Sequence, residues 1–139
     1  MEKIIFILLG LCIVGAFGED DDPCVSHSLL TNNGERSAGV RLDVDTRPPL
    51  SDKQALIPGW YRVNSPGGNE IPNMCVDLNY CSTNFPIWMN DVRTSFPPNR
   101  VVDIEGCVHT RNGCCGEKLR LKVKNCRDFN VYKLVKPPG

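Results

Sequence analysis

The sequence has no excess of charge of either sign, few aromatic residues and only one long apolar run. Its 139 residues carry sixteen basic and sixteen acidic side chains, and aromatic residues make up 7%. A formal charge of zero excludes non-specific binding of nucleic acid, which needs an excess of Lys and Arg. A hydrophobic content of 41% is enough for a core, so disorder of the whole chain is excluded as well.

Common catalytic motifs and ordinary N-glycosylation sites are also missing. The sequence contains no Gly-x-Ser-x-Gly, no His-Glu-x-x-His and no phosphate-binding glycine loop. Asn-x-Ser/Thr does not occur, and rare cysteine-type matches, such as Asn79-Tyr80-Cys81 and Asn112-Gly113-Cys114, remain open as acceptors. We therefore expect a protein that is not an enzyme, holds no cofactor and carries no ordinary N-glycans.

The one long apolar run stands at the N-terminus. Lys3 precedes an apolar stretch of about 14 residues, and small residues close it at Ala16-Phe17-Gly18. This pattern predicts a secretory signal peptide over residues 1–18, since a membrane span needs about 20 apolar residues. An uncleaved signal anchor is the alternative. We expect residues 19–139 to be one secreted, extracellular domain with no membrane span after signal cleavage.

Cysteine is abundant, and export decides how it is interpreted. Cys12 leaves with the signal, so seven of the eight cysteines remain: Cys24, Cys75, Cys81, Cys107, Cys114, Cys115 and Cys126. In a small secreted domain such cysteines form disulfides, which predicts three bridges and one odd thiol. The adjacent Cys114 and Cys115 should point to opposite sides of an extended segment and bridge to different partners.

Two other roles for these cysteines are conceivable. Zinc could be held by Cys107 and His109 with Cys114 and Cys115, but the spacing is not that of paired C-x-x-C knuckles and secretion favours oxidation. We therefore expect no metal. A nucleophilic pair of Cys81 with His27 or His109 would need an electropositive pocket, which the sequence does not indicate.

The remaining pattern indicates a mainly β domain of small antiparallel sheets with long loops. Residues 24–58 have turn-rich composition with at most one short strand near Val40–Val44. Strict apolar/polar alternation over Leu119–Lys124 predicts a half-buried strand. The other expected extended pieces are Trp60–Val63, Met74–Tyr80, Arg100–Ile104 and Asn130–Val135.

The solvated face of the Leu119–Lys124 strand carries a basic stripe, Arg120, Lys122 and Lys124. It could dock an acidic glycan or protein, or it could be an ordinary solvated face balanced by acidic residues elsewhere. Trp60 and Trp88 could bind a ligand, although we expect them to close the core against the disulfides.

Several motifs together resemble one known family. They are Asp22-Pro23-Cys24, Gly59–Val63, Cys75 and Cys81, Pro86–Asn90, Gly106-Cys107, Cys114-Cys115, Val123–Cys126 and Val131–Leu134. The chain resembles the eight-to-ten-cysteine domain of uromodulin, the pancreatic zymogen-granule membrane glycoprotein and the liver zona-pellucida-like protein. The likeness covers residues 22–138.

The resemblance implies the pairs Cys24–Cys126, Cys75–Cys114 and Cys107–Cys115. Ser51 occupies the place of one family cysteine, and the chain ends at Gly139 before two others. Cys81 thereby loses the partner that the family implies, so we expect it to be free or bonded to another chain. The family's glycan decoy role should not transfer, because its glycan positions fall at Asn90 and Lys133, which cannot accept one.

We therefore predict a secreted, non-enzymatic recognition module whose partner is an extracellular protein or glycan. One alternative is a structural component of an extracellular coat or matrix, linked through Cys81, with a disulfide-linked dimer as its simplest form. Another is a secreted disulfide-rich effector, such as a toxin or antimicrobial factor, although neutral charge argues against membrane attack.

Overall fold

The chain folds around a six-stranded sheet. The computed structural model describes residues 21–30 and 35–137. The strands are β1 (Ser28–Leu29), β2 (Gly59–Arg62), β3 (Ile87–Met89), β4 (Val101–Thr110), β5 (Gly113–Asn125) and β6 (Asn130–Leu134), and the single helical turn α1 spans Asp52–Ala55. The protein is therefore mainly β, as the sequence predicts. The expected signal peptide, residues 1–18, lies outside the described residues.

The sheet is built around the β4–β5 hairpin. The two longest strands pair antiparallel from Val101 opposite Lys124 to Thr110 opposite Gly113, with a bulge between Val108 and Thr110. Gly113 starts β5 directly after the two-residue turn. Its backbone φ is +126, a conformation that residues other than glycine rarely adopt. The alternating pattern of β5 thus has a partner strand along its whole length.

The strand order is β1-β2-β6-β5-β4-β3. Strand β6 turns back after β5 and pairs with it at one edge, while its other edge pairs antiparallel with β2. Strand β1 is parallel to β2, and β3 is antiparallel to β4. The N-terminal end of the described chain and its C-terminal strand therefore belong to one sheet.

One face of the sheet carries the core. Leu121, Val123 and Tyr132 are 2%, 0% and 0% exposed. Leu121 and Val123 on β5 and Tyr132 on β6 have side chains on the same face of the sheet, because Val123 pairs directly with Tyr132. Met89, Phe96, Ile104, Val108 and Leu119 complete the buried cluster. We call this side of the sheet the core face.

Several details differ from the sequence-based expectation. Met74–Tyr80 is irregular, with a turn at residues 78–79, rather than a strand, and Val40–Val44 contributes only an isolated bridge between Arg41 and Tyr80. The short strand β1 was not predicted. Strand β3 is not among the predicted strands, because its three residues are too few to show alternation. The structure of these segments depends on contacts with distant parts of the chain, which their local sequence does not predict.

Candidate disulfide framework, charged face and cavity

The described residues contain three disulfides: Cys24–Cys126, Cys75–Cys114 and Cys107–Cys115. The first two fix loops beside the sheet, and the third joins β4 to β5. These are the three pairs that the family resemblance implies. The adjacent Cys114 and Cys115 bond to different partners, one in the loop before β3 and one on β4. The longest connection, with a sequence separation of 102, joins the first described loop to the end of β5.

Cys81 is the free cysteine among the described residues. Its side chain is half-buried, and burial raises the pKa of the thiol, an effect that the positive charge of Arg36 partly opposes. A raised pKa lowers the thiolate fraction at neutral pH, and the thiolate is the reactive form. Cys81 is therefore a slow nucleophile in this environment.

The structure does not bring Cys81 together with either described histidine. His27 donates from Nδ1 to the Pro23 carbonyl oxygen at 2.8 Å and packs against Phe129, with ring centroids 5.5 Å apart. His109 places Nδ1 2.7 Å from the Val76 carbonyl oxygen, to which it donates. A Cys81–His nucleophilic pair is thus not formed in the described part of the chain.

The four residues considered as zinc ligands are separated into two clusters. Cys75, His109 and Cys114 form one, and Glu105, Cys107 and Cys115 form the other. Both sulfurs of each cluster are joined in a disulfide, and a disulfide sulfur is not the thiolate that zinc binds. In this oxidised form the two clusters are structural.

The predicted basic stripe faces away from the core and is matched by acidic residues. Lys122 Nζ lies 2.6 Å from Asp103 Oδ1, and Lys118 Nζ lies 3.1 Å from Glu105 Oε2 across the β4–β5 pair. Arg120 is directly opposite Glu105 in the register. We call these five residues, Asp103, Glu105, Lys118, Arg120 and Lys122, the charged face.

Electrostatics on the charged face follow from these pairs. The hydrogen bond from Lys122 holds the pKa of Asp103 below its usual value, and hydrogen bonds from Asn90 and Lys118 do the same for the pKa of Glu105. Lys124, the third residue of the stripe, instead donates to Asp22 at 2.9 Å and ties the N-terminal loop to β5. The stripe is therefore a surface of mixed charge.

Both tryptophans lie on the side of the sheet that carries the charged face. Trp60 pairs with Lys133, and Trp88 pairs with Cys107 and donates its indole N–H to the Cys114 carbonyl at 2.7 Å. Both are half-buried and neither belongs to the buried cluster. The expectation that they close the main core is wrong, although Trp88 does contact the disulfide segment.

A cavity of about 760 Å³ lies between the core face and the loops that cross it. Its floor includes Val108, Leu119 and Leu121, and its walls include Leu56 and Cys81. No sequence pattern indicates this cavity, because its walls come from loops that only the disulfides and turns hold in place.

The fold and the disulfides define the class of protein: an extracellular β module whose loops are fixed by cystines. Residues 61–139 match the family model of the uromodulin-like cysteine-rich domain. The chain therefore belongs to the uromodulin-like domain family.

Two relatives at about 30% identity support the same family assignment. The chain is 31% identical over 118 residues to the pancreatic secretory granule membrane major glycoprotein GP2 of Canis lupus familiaris, covering 84% of this chain and 22% of the relative. It is 32% identical over 123 residues to uromodulin of Rattus norvegicus, covering 84% of this chain and 17% of that protein. The chain thus spans about a fifth of the length of these relatives, and neither is named as an enzyme.

Membership of this family makes the chain an extracellular uromodulin-like module. Within the described residues, the structure contains no helix that is both long enough and apolar enough to cross a membrane.

Proposed function

We propose that the chain is a non-enzymatic recognition module, formed by residues 19–139 as one domain, that binds an extracellular protein or glycan. The observation that carries this proposal is the charged face: three basic side chains of β5 beside two acidic side chains of β4, on the two longest strands of the sheet. Charges held in a rigid array favour one complementary partner over others and raise the rate of encounter. The stripe residues Arg120, Lys122 and Lys124 are the contacts that we propose.

Recognition would use the polypeptide itself rather than an attached glycan. Asn90 stands where the family carries a glycan, but it is followed by Asp91-Val92. Its side-chain amide donates to Glu105 Oε1 at 3.0 Å, at the border of the charged face. This contact supports a glycan-free Asn90, and a peptide map of the secreted protein by mass spectrometry should show Asn90 unmodified.

Neutralising the charged face tests the proposal. The secreted protein would be immobilised and exposed to extracellular fluid, beside the double variant Arg120→Gln with Lys122→Gln and the control Lys136→Gln, which changes an exposed charge outside the face. We expect the double variant to lose the proteins or glycoproteins that the wild type and the control capture. Equal capture by all three would contradict a role for the charged face.

A structural role through Cys81 is the second candidate, favoured by the free thiol. It predicts a dimer on a non-reducing gel that collapses on reduction and is absent in Cys81→Ser, because one free thiol per chain can form one bond between chains. A clean monomer before and after reduction would exclude this role and leave the recognition module.

A further inference from the structure

The cavity beneath the loops has an apolar floor that belongs to the core face. Val108, Leu119 and Leu121 line it while remaining 6%, 9% and 2% exposed. Leu56, itself 7% exposed, also lines the cavity. The volume of about 760 Å³ lies in the range of about 300–1,000 Å³ typical of small-molecule sites.

The charges around the cavity cancel. Three cationic residues and three acidic residues line it: Arg36, Lys53 and Arg111, and Asp52, Glu70 and Glu117. Arg36 and Asp52 satisfy each other through two hydrogen bonds of 2.8 and 2.6 Å. A site with a balanced lining and a paired arginine gives a charged ligand no net attraction and would require it to lose water.

Some polar side chains of the wall can still orient a ligand. Ser37, Thr83 and Asn84 line the cavity and offer hydroxyl and amide groups. Such groups suit the hydroxyls of an uncharged head group, while an acyl chain would cover Phe85 and Val135, two lining residues that are 45% and 38% exposed. Water there finds few hydrogen-bond partners, so its displacement by an acyl chain is favourable.

We propose that this cavity binds one uncharged, single-chain amphipathic lipid of the monoacylglycerol class. The balance of lining charge selects the uncharged head group, and the exposed apolar lining at Phe85 and Val135 selects the chain. This site is on the core face, so it is separate from the charged face and independent of the proposed recognition function.

Cys81 lines the cavity and gives a direct report of occupancy. The alkylation rate of Cys81 in the intact, oxidised protein would be measured with three twelve-carbon probes below their micelle concentrations: 1-monolauroylglycerol, laurate and dodecyltrimethylammonium. At about ten times its Kd, a bound probe should slow alkylation about tenfold, because only the unoccupied fraction reacts. We expect this saturable protection from 1-monolauroylglycerol, and much weaker protection from the two ionic probes.

Matched variants assign the effect to the cavity. Ala38→Trp and Ser51→Trp each enlarge an exposed residue of the cavity wall, and Val92→Trp enlarges an exposed residue outside it. Protection by 1-monolauroylglycerol should disappear in the first two variants and persist in the third. Circular dichroism and the retained disulfides check that each variant is folded.

Three results would overturn the proposal. One is the absence of protection by 1-monolauroylglycerol in folded protein, and another is equal protection by the ionic probes. The third is a dimer in gel filtration that dissociates in Ala38→Trp, which would make a second copy of the chain the occupant.

Discussion

Tyr132 lies at the centre of the buried cluster, on β6, with no exposed surface. Burial raises its pKa to about 12, and the nearby negative charge of Glu70 adds to this effect. Because the folded pKa exceeds the unfolded value of about 10, burial of the neutral phenol stabilises the fold fully below about pH 10. That contribution is lost as the pH rises from about 10 to about 12.

Replacement of Tyr132 by Phe should remove this pH dependence. Two pKa units correspond to about 2.7 kcal/mol, so the wild type should lose about 2–3 kcal/mol more of its free energy of unfolding than Tyr132→Phe between pH 9 and pH 12. Urea unfolding of the oxidised proteins at a series of pH values measures this difference. Parallel losses in the two proteins would show that the pKa of Tyr132 is the same in the folded and the unfolded chain, which would contradict the raised value.

Gly106 lies on β4 opposite Leu119, where the core face has no room for a side chain. A Cβ there would lie 2.9 Å from Leu119 Cγ and 3.0 Å from Leu121 Cδ1. We expect Gly106→Ala to lower the free energy of unfolding by about 1–3 kcal/mol through overpacking. Gly59→Ala on β2 is the control, since its Cβ would meet nothing within 4 Å. Equal effects of the two substitutions on the urea midpoint would contradict this packing.

Sequence reasoning at the residue scale succeeded where a periodic pattern exists. The alternation of Leu119, Leu121 and Val123 predicted which side chains enter the core, because a strand turns successive residues to opposite faces. It failed for Trp60 and Trp88. Large apolar side chains are usually buried. The face of the sheet on which each tryptophan lies, however, depends on the register of its strand with β6 or β4, and a single sequence does not predict that register.

At the scale of elements, the Cys24–Cys126 disulfide joins the N-terminal loop to the end of β5. It closes the longest loop of the three, with a separation of 102 residues. Loop-closure entropy for such a length amounts to about 4–5 kcal/mol in the unfolded chain. Asp22 and Lys124 add an ion pair beside it.

Removal of this disulfide should therefore be the costly change. We expect Cys24→Ala with Cys126→Ala to lower the free energy of unfolding by about 4–5 kcal/mol, measured in urea against the wild type. Cys81→Ala is the matched control, because that cysteine closes no loop in the structure. A loss no larger than that of the control would mean that the long loop is already constrained without the bridge.

Strands with a partner close in sequence could be predicted, and segments fixed from afar could not. The β-branched run at Arg100–Ile104 and the alternation over Leu119–Lys124 predicted the two strands of the hairpin. Their pairing and the turn before Gly113 appear only in the structure. Met74–Tyr80 has strand-like composition, yet it is irregular in the structure and is tied to β5 through the bond from Cys75 to Cys114. Covalent and tertiary constraints override the weak strand preference of a short segment.

At the scale of the whole molecule, zero net charge conceals an organised distribution. Positive side chains of β5 are met by acidic ones of β4 and by Asp22, and the charges around the cavity cancel separately. The sequence showed the counts and the stripe, but only the pairing of strands shows which charges neutralise each other. The cavity is also a property of this scale, since its floor and walls come from distant parts of the chain.

The central claim is that the secreted chain is a uromodulin-like module held by three disulfides with one cysteine left over. A disulfide map by mass spectrometry, made after alkylating the native secreted protein, tests it most directly. We predict peptides linking Cys24 to Cys126, Cys75 to Cys114 and Cys107 to Cys115, with the alkyl group on Cys81. A link between Cys75 and Cys81 would contradict the framework, and with it the placement of the loops around the sheet.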